Sequence, residues 1–144
     1  MQQDAAGGHA YVLLCAYHKF GDPRYLEHCK SALEALISQK ESRFYEALLP
    51  LGVYVAAYLN ATEGTNYNVS KLFDWVFNGC QSSSGRTGWG IIVGKWGDYD
   101  VSGLQGSITD GGGYAFLMNS IKPAWPFIPL VKYQPEYAKA IGKW

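Results

Sequence analysis

Residues 47–59 read ALLPLGVYVAAYL, and residues 69–77 read VSKLFDWVF. The first stretch is apolar on every side, as a helix buried all round must be. In the second, Val69, Leu72, Phe73, Val76 and Phe77 form one stripe opposite Ser70, Lys71, Asp74 and Asn78, the pattern of a helix with a single face in the core. The same pairing stands earlier in the chain. Residues 10–17 (AYVLLCAY) are apolar all round, whereas Leu26, Cys29, Leu33, Leu36 and Ile37 recur at helical spacing with Glu27, Lys30, Ser31 and Glu34 between them. Buried and amphipathic helices therefore alternate. The connectors agree: Gly21-Asp22-Pro23 ends one helix and starts the next, Glu63-Gly64-Thr65-Asn66 does so again, and Asn78-Gly79 supplies a left-handed stop. Period-two alternation is faint and confined to residues 89–93, so the expected class is all-α, built of antiparallel helical hairpins.

Internal similarity points the same way. Asp4-Ala-Ala-Gly-Gly8-His9-Ala10-Tyr11 is echoed by Asp110-Gly-Gly-Gly113-Tyr114-Ala115-Phe116, and Lys19-Phe20…Pro23-Arg24-Tyr25 by Lys132-Tyr133…Pro135-Glu136-Tyr137. A weaker third copy of the turn lies at Glu63-Gly64-Thr65-Asn66-Tyr67, a spacing that suits an array of helical hairpins. Three hairpins fit in residues 1–144 as one domain. The last helix, residues 137–144, has barely begun, so the chain reads as a fragment of a longer protein.

This alternation, with its Gly21-Asp22-Pro23-Arg24-Tyr25 turn and its acidic-Gly-aromatic helix starts at Asp4 and Asp110, resembles the (α/α)-toroid proteins, the six-hairpin glycosidases and related polysaccharide lyases. No diagnostic catalytic signature accompanies the resemblance, and a full six-hairpin toroid needs more than twice this length. The resemblance implies part of such a toroid and a carbohydrate-active or carbohydrate-binding domain. Hydrolysis, elimination and binding alone stay open, and the alternative is a non-catalytic helical scaffold that engages a protein. A secreted or periplasmic location would accompany the carbohydrate reading; the sequence itself leaves the compartment unassigned.

Composition narrows the partners. Twelve Lys+Arg balance twelve Asp+Glu, so no basic field is available to attract a nucleic acid. Residues 47–59, the longest apolar run, fall short of the about 20 residues a bilayer span needs, so no membrane partner is expected. Charged residues are 17% and aromatics 15%, which excludes a disordered chain. Cys15, Cys29 and Cys80 are odd in number and lack a Cys-x-x-Cys pair, so they read as buried free thiols. Neither they nor His18 and His28 have a recognised ligand spacing, so no metal and no cofactor is expected.

The chemistry concentrates in residues 79–113, a Gly-rich stretch without helical period and too long for an ordinary connection. It reads as an ordered loop over one end of the helical array. Trp89, Trp96 and Tyr99 offer flat faces for sugar rings, and Asp98 and Asp100 offer acceptors for hydroxyls; the competing role for these rings is to pin the loop to the helices. Asp110, just before Gly111-Gly112-Gly113 and an expected inner helix, is placed to cap that helix or to serve as general acid or base. Asp4 and Glu46 occupy comparable positions in the other hairpins, which would gather carboxylates at one mouth. By the resemblance His9 and Tyr114 would face the same cavity, so Asp110, His9, Tyr114 and Glu46 form the candidate catalytic set. Gly8, Gly52 and Gly113 weaken inner helices unless close packing compensates. Pro123, Pro126 and Pro129 imply a stiff extended link or two helix starts, with Trp125 and Phe127 against the core. An oligosaccharide or polysaccharide is the expected ligand. A cut inner layer would also leave apolar surface, implying a homodimer or a missing remainder of the parent chain.

Overall fold

The turns that join the first helix to the second and the third to the fourth fall where the sequence supplies the terminating groups. In the computed structural model, which describes residues 4–80, 89–107 and 114–144, α1 (Ala5–Phe20) stops at Gly21. Its φ of 70° lets the Gly21 amide donate back to the Tyr17 carbonyl at 2.8 Å. One residue later Asp22 opens α2 (Pro23–Ile37), its carboxylate accepting the Arg24 amide at 2.9 Å with Pro23 at the first helical position. Between α3 (Leu48–Thr62) and α4 (Val69–Phe77) the Asn60 amide grips the turn. It accepts from the Tyr67 amide at 2.8 Å and donates to the Tyr67 carbonyl at 2.9 Å. Asn68 then caps α4 by accepting the Lys71 amide at 2.9 Å.

Packing follows the apolar pattern. α1 lies against α2 and α3, and α3 against α4 and α5 (Leu117–Leu130), so the all-apolar helix is central and the amphipathic ones flank the array. Leu14, Leu33, Leu36, Leu49, Val53, Leu59, Leu72, Phe127 and Leu130 are buried at the centre, each leucine contributing about 1.5–3 kcal/mol through burial. Gly7 and Gly52 let α1 and α3 touch backbone to backbone. A Cβ on Gly7 would stand 2.5 Å from the Leu48 carbonyl oxygen and 3.1 Å from the Gly52 nitrogen. One on Gly8 would meet the Leu48 side chain at 2.7 Å. Close helix packing thus accounts for three glycines, of which the expectation covered Gly8 and Gly52; Gly113 lies outside the described residues.

Several expectations are corrected. α1 buries one face only: Val12 and Phe20 are two-thirds exposed, and Cys15 is exposed while Cys29 and Cys80 are buried. Burial pushes the Cys29 thiol up to about 11. Where it is described, the 79–113 segment is a small β-structure rather than a loop. β1 (Gly90–Ile91), β4 (Gln105–Ser107) and β5 (Tyr114–Phe116) form an antiparallel sheet in the order β1-β4-β5, and β2 (Lys95–Trp96) pairs with β3 (Tyr99–Asp100). Strands of two or three residues are too short to show alternation in sequence. Because residues 114–116 pair as a strand, α5 starts at Leu117, so no helix begins directly after Gly113 for Asp110 to cap; Asp110 itself lies outside the described residues.

The three prolines also behave differently from expectation, since all lie inside α5. Each removes a backbone donor and crowds the preceding turn, at roughly 3 kcal/mol in an isolated helix. Pro123 and Pro126 are buried with Phe127 and Leu130, and that packing against α3 holds the segment helical. Trp125 points away from the core and is 67% exposed. A 3-10 turn (Pro135–Tyr137) leads into α6 (Ala138–Lys143). No helix among the described residues is long and apolar enough to cross a membrane.

Candidate functional site

The β2–β3 hairpin is the exposed end of the β-structure. Its stem is anchored: Ile91, Ile92 and Val101 are buried, the Ile92 amide donates to the Leu104 carbonyl at 2.8 Å, and the Gly103 amide donates to the Ile92 carbonyl at 2.8 Å. Its tip is the two-residue turn Gly97-Asp98, with Gly97 at φ 59°, the positive angle that a twisted two-residue hairpin demands at its first central position. Trp96 pairs directly with Tyr99 across the ladder, so both rings stand on one face, as cross-strand partners do. Trp96 is 48% exposed and Tyr99 78%. Lys95 and Asp100 pair on the other face. The Asp100 carboxylate accepts the Ser102 amide at 3.0 Å, and hydrogen bonds from Ser102 lower its pKa, so it is held ionised. Asp98 sits exposed at the turn, beside the two rings.

Trp89 does not join them. It is 2% exposed, its ring stacks on Tyr45 with centroids 5.7 Å apart, and its indole N–H donates to the Tyr45 carbonyl. The sequence expectation of a sugar platform at Trp89 is therefore corrected: this ring pins the β-structure to the segment that joins α2 to α3. Gln105, fully buried, donates from Nε2 to the same carbonyl at 2.8 Å. Tyr45 thus serves as a hub, because its amide also donates to Asp4 Oδ2 at 3.4 Å.

Around that hub the chain collects polar groups that helical patterning could not reveal. Asp4 is 1% exposed, and Asp4 Oδ1 and Gln105 Oε1 have no hydrogen-bond partner among the described residues. Burial is the main force on the Asp4 carboxyl and raises its pKa. Backbone N–H groups of Glu46 and Tyr45 pull it down, and the Glu46 charge adds a smaller upward push. Asp4 and Glu46 are therefore neighbours at the starts of α1 and α3, one buried and inclined to hold its proton, the other exposed. A carboxyl with 1% of its surface accessible cannot touch a substrate. His9 is exposed on α1, one turn beyond Asp4. Asp110 and the side chain of Tyr114 lie outside the described residues, so the candidate catalytic set is not assembled by the part of the structure that is described. Among the described residues no three His, Cys, Asp or Glu side chains converge as a metal site would require.

A second aromatic group was not anticipated. Tyr11, Tyr54, Tyr58 and Tyr133 lean on one another across α1, α3 and the segment after α5, with centroids 5.5–6.2 Å apart, and His18 Nε2 lies 2.9 Å from the Tyr58 hydroxyl. Burial and the neighbouring phenols push Tyr54 up to about 12. The available signal was Tyr54 and Tyr58 at i, i+4 within an otherwise apolar helix, where phenol tips mark the side that reaches water. No protein-family model, curated protein or solved structure matches this chain.

Proposed function

We propose that this chain is a carbohydrate-binding helical domain that offers the β2–β3 hairpin to sugar rings. The reading is carried by one observation: Trp96 and Tyr99 are cross-strand partners, exposed together at 48% and 78% on a hairpin whose stem is buried. Exposed aromatic rings on an anchored stem lose little freedom on stacking, and Asp98 beside them supplies acceptors for hydroxyls. A chain of zero formal charge suits a neutral glycan better than a polyanion. The succession α1, α3, α5, each in contact with the next, with α2 on α1 and α4 on α3, supports reading the helices as an arc of an (α/α) toroid. Turnover by hydrolysis or elimination in a longer protein is part of the same proposal, with Asp110, His9, Tyr114 and Glu46 as its candidates.

The test is a titration of neutral and uronic-acid oligosaccharides against intrinsic tryptophan fluorescence, with the same samples assayed for new reducing ends and unsaturated products. A saturable shift in the wild type that weakens roughly tenfold in Trp96→Ala is the expected result, a stacking contribution of about 1.5 kcal/mol. Product formation would identify the chemistry. No shift with any oligosaccharide would overturn the reading and favour a scaffold whose hairpin meets protein.

A further inference from the structure

We infer that the outer face of α5 is a self-association seam on which a second copy of this chain packs. The helix is apolar on two sides. One side, with Pro123, Pro126, Phe127 and Leu130, is buried in the chain's own core. The other presents Met118, Ile121, Trp125 and Ile128, exposed at 73, 62, 67 and 68%. Their spacing of three, four and three residues is that of a coiled-coil seam over two heptads. Leu117, 65% exposed, widens the stripe. Lys122 is the one charged residue of the helix, so the face has the charge depletion and the Met and Trp enrichment of an interface core.

Area and shape both favour a second copy as the occupant. Residues of this size carry on the order of 200 Å² of surface, so five at about two-thirds exposure present roughly 650 Å², approaching the about 800 Å² per partner of a standard interface. The seam is also a ridge beside a groove. A cavity of about 350 Å³ runs along it, lined by Ile121, Ile128, Leu104, Ile141 and Trp144. A twofold axis across α5 would seat the Trp125 ridge of each copy in the groove of the other, the self-complementary arrangement a closed dimer requires. Trp125 is also positioned in advance, because its ring packs edge-on against Tyr11 at 5.8 Å while two-thirds of it stays exposed. Zero formal charge leaves no net repulsion between copies.

Sedimentation velocity of the full chain over a range of micromolar concentrations tests this. The expected result is a species of about twice 15.9 kDa that dissociates on dilution. Trp125→Ala should raise the dissociation constant about thirtyfold, as a central interface anchor does, and Ile121→Asp should leave a monomer with unchanged far-ultraviolet circular dichroism. Should Ile121→Asp misfold, Met118→Lys, at the most exposed seam position and outside the core, must give the monomer instead. Glu34→Lys, on exposed α2 surface, should change nothing. A wild type that is monomeric at every concentration overturns the inference, and so does a dimer that survives all three seam variants.

Discussion

The two hairpins of residues 4–77 and the segment from Trp89 through α5 are stabilised by different kinds of contact. In the hairpins, apolar stripes bury leucines and valines, and groups a few residues apart fix the two inter-helix turns: Gly21 with Asp22, Asn60 with Tyr67, Asn68 with Lys71. In the later segment the strands are two or three residues long and α5 carries three prolines, so neither element has much local preference for its conformation. Its order comes from outside, through Trp89 and Gln105 on the Tyr45 carbonyl and through Phe127 and Leu130 in the helical core. Helices specified by near neighbours in sequence thus serve as the template for a segment specified by distant ones. Variants that cut a long-range tie should damage that segment most.

The largest expected effect follows from the tie itself. Trp89→Ala removes a buried ring, its stack on Tyr45 and its hydrogen bond, and should cost about 3–5 kcal/mol in urea unfolding. Hydrogen exchange should report loss of protection first in β1 and β4. A cost near zero would mean that the β-structure is ordered without the helices, and the contrast between the regions would fail.

The next variant probes the helical template. Gly7→Ala gains helix propensity but puts its Cβ 2.5 Å from the Leu48 carbonyl oxygen, backbone that yields only if α1 and α3 separate. A net loss of about 2 kcal/mol is expected. Gly142→Ala in α6, with nothing within 4 Å, should instead stabilise by about 0.5 kcal/mol. If both changes stabilise, the α1–α3 contact is looser than a backbone-to-backbone fit.

Asp4 joins the two regions through the Tyr45 hub, and pH reads its state. In the unfolded chain its carboxyl titrates at the ordinary 3.8, and burial raises it in the folded chain. Across that window the folded chain keeps a proton the unfolded chain has released, so stability is full below 3.8 and falls as pH rises through the folded value. Asp4→Asn keeps an oxygen for the Tyr45 amide and removes the fall. It should match the wild type at acid pH and melt a few degrees higher at neutral pH. A lower melting temperature at neutral pH would show that the backbone N–H groups around the carboxylate outweigh its burial.

What the sequence made legible follows the same division. Helix class, the all-round burial of α3, the amphipathic stripes of α2 and α4 and the turn at Gly21-Asp22-Pro23 rest on residues within a few positions of one another, and these appear in the structure, whereas the all-round burial expected of α1 does not. Trp89 and Trp96 could not be told apart, because each sits among glycines and differs only in what folds over it: Tyr45 stands 44 residues from Trp89. The sequence places Asp4 among carboxylates gathered at one mouth, and the fold buries it beneath the chain entering α3. The prolines of α5 were misread because local propensity, usually decisive at proline, was overridden by burial against α3.

The smallest stability effect belongs to Trp96→Ala, and it separates use from support most cleanly. Trp96 is 48% exposed on a hairpin whose order rests on the buried Ile91, Ile92 and Val101 and on the Gly97 turn. Losing the side chain paired with Tyr99 across the ladder should change unfolding free energy by no more than about 0.5 kcal/mol. Trp89→Ala and Trp96→Ala are the same chemical change seven positions apart, so their ratio of costs measures how far the fold has assigned the two rings to different tasks. A ring kept exposed at little benefit to stability is available to what lies outside the chain. If Trp96→Ala costs as much as Trp89→Ala, both rings are structural, and the sugar-binding reading loses the residue it depends on most.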